Sequence, residues 1–198
     1  MSVSSVKTGV ISPSSLLAGN LPFIPNDYES IASVTVGSGG QSSITFSSIP
    51  STYQHLQIRG IAQVTFGSDP GGGGGVGLRF NSDTGANYTR HLIGGQGTSS
   101  LDVYGEANTS FALIERFLYR STNNNVYGTA ICDILDYSNT NKFKTIRNLG
   151  GWDANGTGEI YFNSSVWRST SAISNIQIYL ASESLKQYSS FALYGIKG

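Results

Sequence analysis

The sequence predicts an all-β chain, an antiparallel β-sandwich of jelly-roll type preceded by an extended N-terminal arm. Three observations carry that expectation. Apolar residues recur with period two in short runs. Clusters of Gly, Asn and Ser separate the runs at intervals of roughly ten residues. The long 3.6-period segments that alternate with strands in a parallel α/β fold are missing.

Taken in order, residues 1–28 hold Pro13, Pro22 and Pro25, three of the five prolines, with Ser and Gly between them. Proline fixes φ and removes a backbone donor, so this stretch reads as an arm and residues 29–198 as the sandwich domain. Ala32, Val34 and Val36 alternate, Gly39 and Gly40 follow, and Ile44 and Phe46 resume the pattern, which predicts a hairpin over residues 31–46. The clearest run sets Leu56, Ile58, Gly60, Ala62, Val64 and Phe66 on one face and His55, Gln57, Arg59, Gln63 and Thr65 on the other. In residues 111–119, Phe111, Ile114 and Leu118 would also line one side of a short helix, and strand is the favoured reading. Val126, Ala130, Cys132 and Ile134 form an inward row, and the turn Ser138-Asn139-Thr140-Asn141 leads into a strand over 143–149. Further strands are expected over 160–166, 173–180 and 190–196.

Composition narrows the function classes. Charged residues make up 12% of the 198, and 12 Lys and Arg balance 12 Asp and Glu. A neutral, sparsely charged chain has no electrostatic pull toward nucleic acid or an anionic membrane, so neither is expected as a partner. No apolar run approaches the roughly 18 residues of a membrane-spanning helix, and the opening MSVSSVKTGVISPSSLLAGN lacks the basic and apolar regions of a signal peptide. Cys132 stands alone, which leaves no intrachain disulfide and no CxxC motif.

Reactive constellations are sparse. His55 and His91 are the only histidines, too few for a three-histidine zinc site, and both read as solvent-facing or hydrogen-bonded strand residues. No GxSxG elbow accompanies the many serines. Asp133 and Asp136, three apart in a strand, point to opposite faces and make a poor acid/base pair. A pairing of Asp133 with the distant Glu159 stays open at this level. Gly72, Gly74 and Gly77 satisfy GxGxxG only because the run from Gly71 to Gly75 generates such matches, and no helix follows to receive a phosphate. Asp153, Asn155 and Gly158 resemble part of a calcium loop, but its twelfth position is Ser164 where a bidentate glutamate is required. Four Asn-x-Ser/Thr sequons, at Asn87, Asn108, Asn155 and Asn163, are what a chain this rich in those residues produces by chance. No catalytic residue, cofactor or metal is therefore assigned, and the expected protein is not an enzyme. Trp152, Trp167 and the tyrosines read mainly as core or interface residues, with Trp152 the candidate glycan-facing aromatic on an exposed loop.

Several separated phrases look like a group of tailed-bacteriophage structural proteins: PSTY at 50–53, HLQIR at 55–59, RFNSDTGANY at 79–88, DYSNTNK at 136–142, WRSTSAI at 167–173 and SSFALYGIKG at 189–198. The resemblance covers about residues 26–198 and implies a β-sandwich virion component, of capsid-decoration, head-fibre or tail-associated kind, made in the bacterial host cytoplasm. The leading expectation is a capsid decoration (cement) protein whose arm clamps the phage head, with Pro13, Leu16, Leu17, Leu21, Pro22, Phe23, Ile24 and Pro25 as its partner-binding residues. Expected partners are the major capsid protein or other virion proteins, and a homotrimer is expected. The alternative is a tail-fibre or receptor-binding tip that recognises a host surface glycan.

Overall fold

A computed structural model describes residues 28–65, 73–97, 100–118, 125–181 and 183–197. The arm and its proposed partner-binding residues, from Pro13 to Pro25, lie outside the described residues. Strands occupy β1 (Tyr28–Thr35), β2 (Ser43–Phe46), β3 (His55–Ala62), β4 (Val64–Thr65), β5 (Gly73–Phe80), β6 (Tyr88–Gln96) and β7 (Ser100–Thr109). They continue as β8 (Ala112–Leu118), β9 (Gly128–Leu135), β10 (Lys144–Asp153), β11 (Gly158–Trp167), β12 (Ile176–Tyr179), β13 (Ser184–Leu185) and β14 (Ser190–Ile196). Eight of them form one sheet in the order β1-β14-β3-β9-β10-β11-β6-β7, and four form a second, β2-β12-β5-β8. Every pairing is antiparallel, and a two-stranded piece, β13-β4, closes one corner.

The four-stranded sheet packs on one face of the large sheet, here called the inner face, with β8 lying across β9, β10 and β11. Period-two alternation fixes which side chains meet there. Leu56 and Ile58 of β3, Cys132 and Ile134 of β9, and Phe191 and Leu193 of β14 are buried against Val76, Leu78 and Phe80 of β5 and Ile176 and Ile178 of β12. Phe117 of β8 meets Phe191 edge to face, ring centroids 5.6 Å apart. Burial pushes the Cys132 thiol well above its ordinary pKa, so it behaves as a small apolar core residue. The strand reading of the 111–119 segment holds over Ala112–Leu118, as do the β9–β10 hairpin and the last strand, Ser190–Ile196. The strand order gives an all-β, antiparallel sandwich of eight strands over four, with β9-β10-β11 as a meander inside the large sheet.

Two expectations change. Residues 31–46 are not a hairpin: β1 pairs with β14 at the rim of the large sheet, and β2 pairs with β12 in the other. The intervening loop, with Gly39 at φ 102° and Gly40 at φ 74°, carries the chain between sheets and is pinned by Val36 N–H to the Ser189 carbonyl (2.8 Å) and Gln41 N–H to the Leu185 carbonyl (3.0 Å). Each half takes its ladder hydrogen bonds from a sequence-distant strand instead of from its neighbour. The 55–66 run also breaks, because Ala62, Gln63 and Val64 are all buried and the chain leaves β14 for β13 at that point. Gln63 N–H donates to Ser189 Oγ (3.2 Å), and the Gln63 carbonyl accepts Lys186 N–H (2.8 Å).

The separated phrases of the sequence meet at one end of the sandwich and satisfy one another. Asn81 and Ser82 adopt left-handed φ values of 51° and 59°, which lets the Asn81 side chain accept Ser174 N–H (2.9 Å) and donate to the Ala172 carbonyl (2.8 Å). Asp83 accepts the Trp167 indole N–H (2.7 Å), Gly85 N–H (2.8 Å) and the Asn87 amide (3.0 Å). Tyr137 O–H donates to the Pro50 carbonyl. Lys144 is fully buried, and its ammonium donates to the carbonyls of Asn139, Lys142 and Thr170.

This end of the fold yields an acid-stability prediction. Burial pushes the Asp83 carboxyl up, but the bonds from Trp167, Gly85 and Asn87 outweigh it and hold the group below the usual carboxylate value. A carboxyl with a lower pKa folded than unfolded adds stability that is complete above the unfolded value, about 4, and lost as pH falls through the folded one. Asp83→Ala should leave the buried indole N–H without its acceptor and cost about 1–3 kcal/mol at pH 7 by urea denaturation. The variant should also lose less stability than the parent as pH is lowered below about 4.

Candidate partner-binding face

The other face of the large sheet carries the feature with functional content. Strand register places Arg59, Ile131, Leu149, Phe162, Ile93 and Val103 in one row across β3, β9, β10, β11, β6 and β7. The adjacent row runs Ile61, Thr129, Gly151, Ile160, Gly95 and Leu101. Eight of these twelve are large aliphatic or aromatic side chains, each between 44% and 73% exposed. A third row, Gln57, Asp133, Arg147, Ser164, His91 and Gly105, is polar and bounds the apolar band on the side of the turn cluster.

What makes the band informative is the polarity of the opposite face of the same strands. Asn148, Asn163 and Ser165 point inward and are at most 2% exposed, while their neighbours Leu149, Ile160 and Phe162 point outward. A β-sheet with one wet face places amides outside and Phe or Ile inside. Here the Asn148 amide donates to the Leu113 carbonyl of β8, and Ser165 Oγ donates to Asn163 Oδ1 (2.9 Å), so the register is locked with the amides in the core. Slipping by one residue would exchange the faces and lose these bonds.

At one end of the band lies a recess of about 710 Å³, walled by Ile131, Leu149 and Ile160 and floored by Gly95 and Gly151. A Cβ at Gly151 would stand 2.3 Å from the Glu159 carbonyl oxygen, so only glycine fits. The β10–β11 tip rises beside it. Asp153 Oδ1 accepts Asn155 N–H (2.8 Å), and Asn155 and Gly156 take φ values of 56° and 105°. That bond is an Asx-turn, which is the work Asp153 and Asn155 do here. Among the described residues no three His, Cys, Asp or Glu converge as a cation site.

The remaining candidate residues fall elsewhere. Trp152 is not on an exposed loop: it lies within β10, 8% exposed, because its position in the alternation points it inward, opposite Glu159. Asp133 and Glu159 stand on opposite faces of the sheet and do not converge. Asp133 accepts the Gln57 amide (2.7 Å), while Asp136 begins the following turn at φ 50° and pairs with Lys142 at 2.5 Å. The Lys142 ammonium holds the Asp136 carboxyl below its ordinary value. His55 Nδ1 accepts Asp136 N–H (3.0 Å), and His91 rests on Gly105, its Nδ1 2.8 Å from where a Cβ would stand. On the inner face Asp102 accepts the Tyr161 hydroxyl and the Gln96 amide (3.1 Å). From Gly73 the glycine run is part of β5, paired with β8, and strand rather than helix follows it. The Asn163 sequon is buried in the core.

Beside the band, Tyr28 and Tyr194 stack with centroids 4.8 Å apart, and the Arg59 guanidinium lies 5.4 Å and 5.8 Å from the two rings. Tyr28 O–H and Arg59 Nε both donate to Gln57 Oε1. Burial raises the Tyr28 pKa against the opposing pull of Arg59, so the hydroxyl stays protonated at neutral pH.

Compared with protein-family models and with curated proteins, the chain matches none.

Residue-by-residue consequences separate the two faces. Asn148→Ala should strand the Leu113 carbonyl in the core and cost about 1–3 kcal/mol. Ile160→Thr, on the outer face, should change the stability of dilute protein by no more than about 0.5 kcal/mol. Thermal denaturation of both variants checks the contrast, and Ile160→Thr should also lower binding of a hydrophobic fluorescent dye.

Proposed function

We propose that this chain is a non-enzymatic structural protein of a tailed-phage particle, a capsid decoration protein that attaches to the head through its N-terminal arm. The observation that carries the reading is the outer face of β10 and β11, which presents Leu149, Ile160 and Phe162 to the outside while Asn148, Asn163 and Ser165 are buried among Ile146, Tyr161 and Trp167 on the inner face. Exposed apolar patches of a monomeric soluble protein seldom exceed about 300–600 Å², so a wider band belongs to a chain that works while covered by other subunits. The neutral balance of charges and the resemblance of the separated phrases agree with that role.

The mechanism is mechanical. Leu16, Leu17, Leu21, Phe23 and Ile24 offer an apolar strip, and Pro13, Pro22 and Pro25 limit the conformational freedom lost when the strip is fixed on the major capsid protein. Contact between neighbouring capsid subunits then resists the internal pressure of the packaged genome. A second reading, a fibre tip that recognises a host glycan, draws on the Tyr28–Tyr194 stack with Arg59 and Gln57 beside it, since aromatic faces flanked by polar groups suit sugar rings.

Purified protein should co-sediment with expanded heads that lack it, and a variant beginning at residue 28 should stay folded yet lose that binding. Normal decoration by the truncated chain would refute the clamp. On a glycan array the parent should give no signal that Tyr194→Ala removes; a signal lost in that variant would favour the fibre-tip reading instead.

A further inference from the structure

We propose that the outer apolar band is a self-docking surface, on which two copies of this chain pack large sheet to large sheet about a two-fold axis. The inference rests on the reading of the band as an assembly surface and names its occupant. Six side chains on β10, β11, β6 and β7, namely Leu149, Phe162, Ile93, Val103, Ile160 and Leu101, each exposed by 47–73%, present on the order of 700 Å², close to what one partner contributes to a standard stable interface. Homodimer interfaces are the most apolar class, and this band contains no charged residue inward of Arg59 at its end. A formal net charge of zero leaves no long-range repulsion between copies.

Shape gives the arrangement. In the second row the side chains from β10 to β7 run Gly151, Ile160, Gly95, Leu101. Rotation by half a turn about an axis between the sheets, parallel to the strands and above the seam of β11 and β6, exchanges β10 with β7 and β11 with β6. It sets Leu101 of one copy over Gly151 of the other and Ile160 over Gly95, so each large side chain meets a glycine. In the first row the same rotation sets Val103 against Leu149 and Ile93 against Phe162. The recess floored by Gly95 and Gly151 is thereby filled from the partner by the most exposed side chain of the row, Leu101 at 73%. Sheets packed this way lie about 10 Å apart, the spacing of a sandwich interior. One face can cover one other, so the contact closes as a pair, unlike the homotrimer the resemblance implies.

Sedimentation of the purified full chain tests the pairing without phage heads, so its failure and failure of the decoration reading are separate results. The parent should have the mass of a dimer at about 50 µM, well above the Kd that an interface of this size reaches. Val103→Lys and Leu149→Glu should each sediment as monomers with an unchanged far-ultraviolet circular dichroism spectrum. Mixed in equal amounts they should pair again, because the rotation brings the introduced lysine of one copy against the introduced glutamate of the other while the second Val103–Leu149 contact is unaltered. If either charged variant misfolds, Ile160→Ala, which only shortens the side chain over Gly95, should weaken pairing by about tenfold or more. A monomeric parent, a trimeric mass, charged variants that still pair, or a mixture that stays monomeric overturns the proposal.

Discussion

The hydrogen bond from the Asn148 amide to the Leu113 carbonyl ties the two sheets together, and the outer surface follows from it. A buried amide left without a partner costs more than its bond contributes when made, so once Asn148 and Asn163 face inward the register of β10 and β11 has no cheap alternative. Because strand side chains alternate strictly, fixing these two residues also fixes Leu149, Ile160 and Phe162 on the outside. The apolar band is thus coupled to the core of the sandwich through the geometry of a single pair of strands.

The two ends of the sandwich divide the labour. At one, hydrogen bonds from Trp167 to Asp83, Asn81 to Ala172, Tyr137 to Pro50 and Lys144 to Asn139 and Thr170 tie four loops together, which accounts for the polar sequence phrases there. At the other, Gly151 and Gly95 leave a recess in the outer face, and the Asp153–Asn155 turn stands beside it. Histidines and carboxylates that could have suggested chemistry are engaged in this scaffolding: His55 with the Asp136 backbone, Asp133 with Gln57, Asp102 with Tyr161.

Apolar surface attracts without direction, so any selectivity of such a band would have to come from its shape. The alternation of glycine with Ile160 and Leu101 gives the second row a relief that a uniformly apolar strand would lack. The flanking Tyr28, Tyr194 and Arg59 group is ordered by Gln57 before any partner arrives, which lowers the entropy cost of using it.

Much of the fold was legible because period two is a local property. Cys132 and Ile134, the turn at 138–141, the strand reading of 111–119 and the final strand each follow from neighbours in sequence. Pairing is not local, and so β1 and β2 read as a hairpin although their partners, β14 and β12, lie far along the chain. The same limit hid the apolar outer face. In β11 the run Ile160-Tyr161-Phe162 is apolar on both phases, and sequence order cannot say which phase meets the core. By itself the sequence determined an all-β chain, neutral and without a reactive motif, since composition and alternation are written residue by residue. Only the tertiary structure decided that amides go inward and Phe162 outward, because that choice depends on a carbonyl of β8 supplied from across the sandwich.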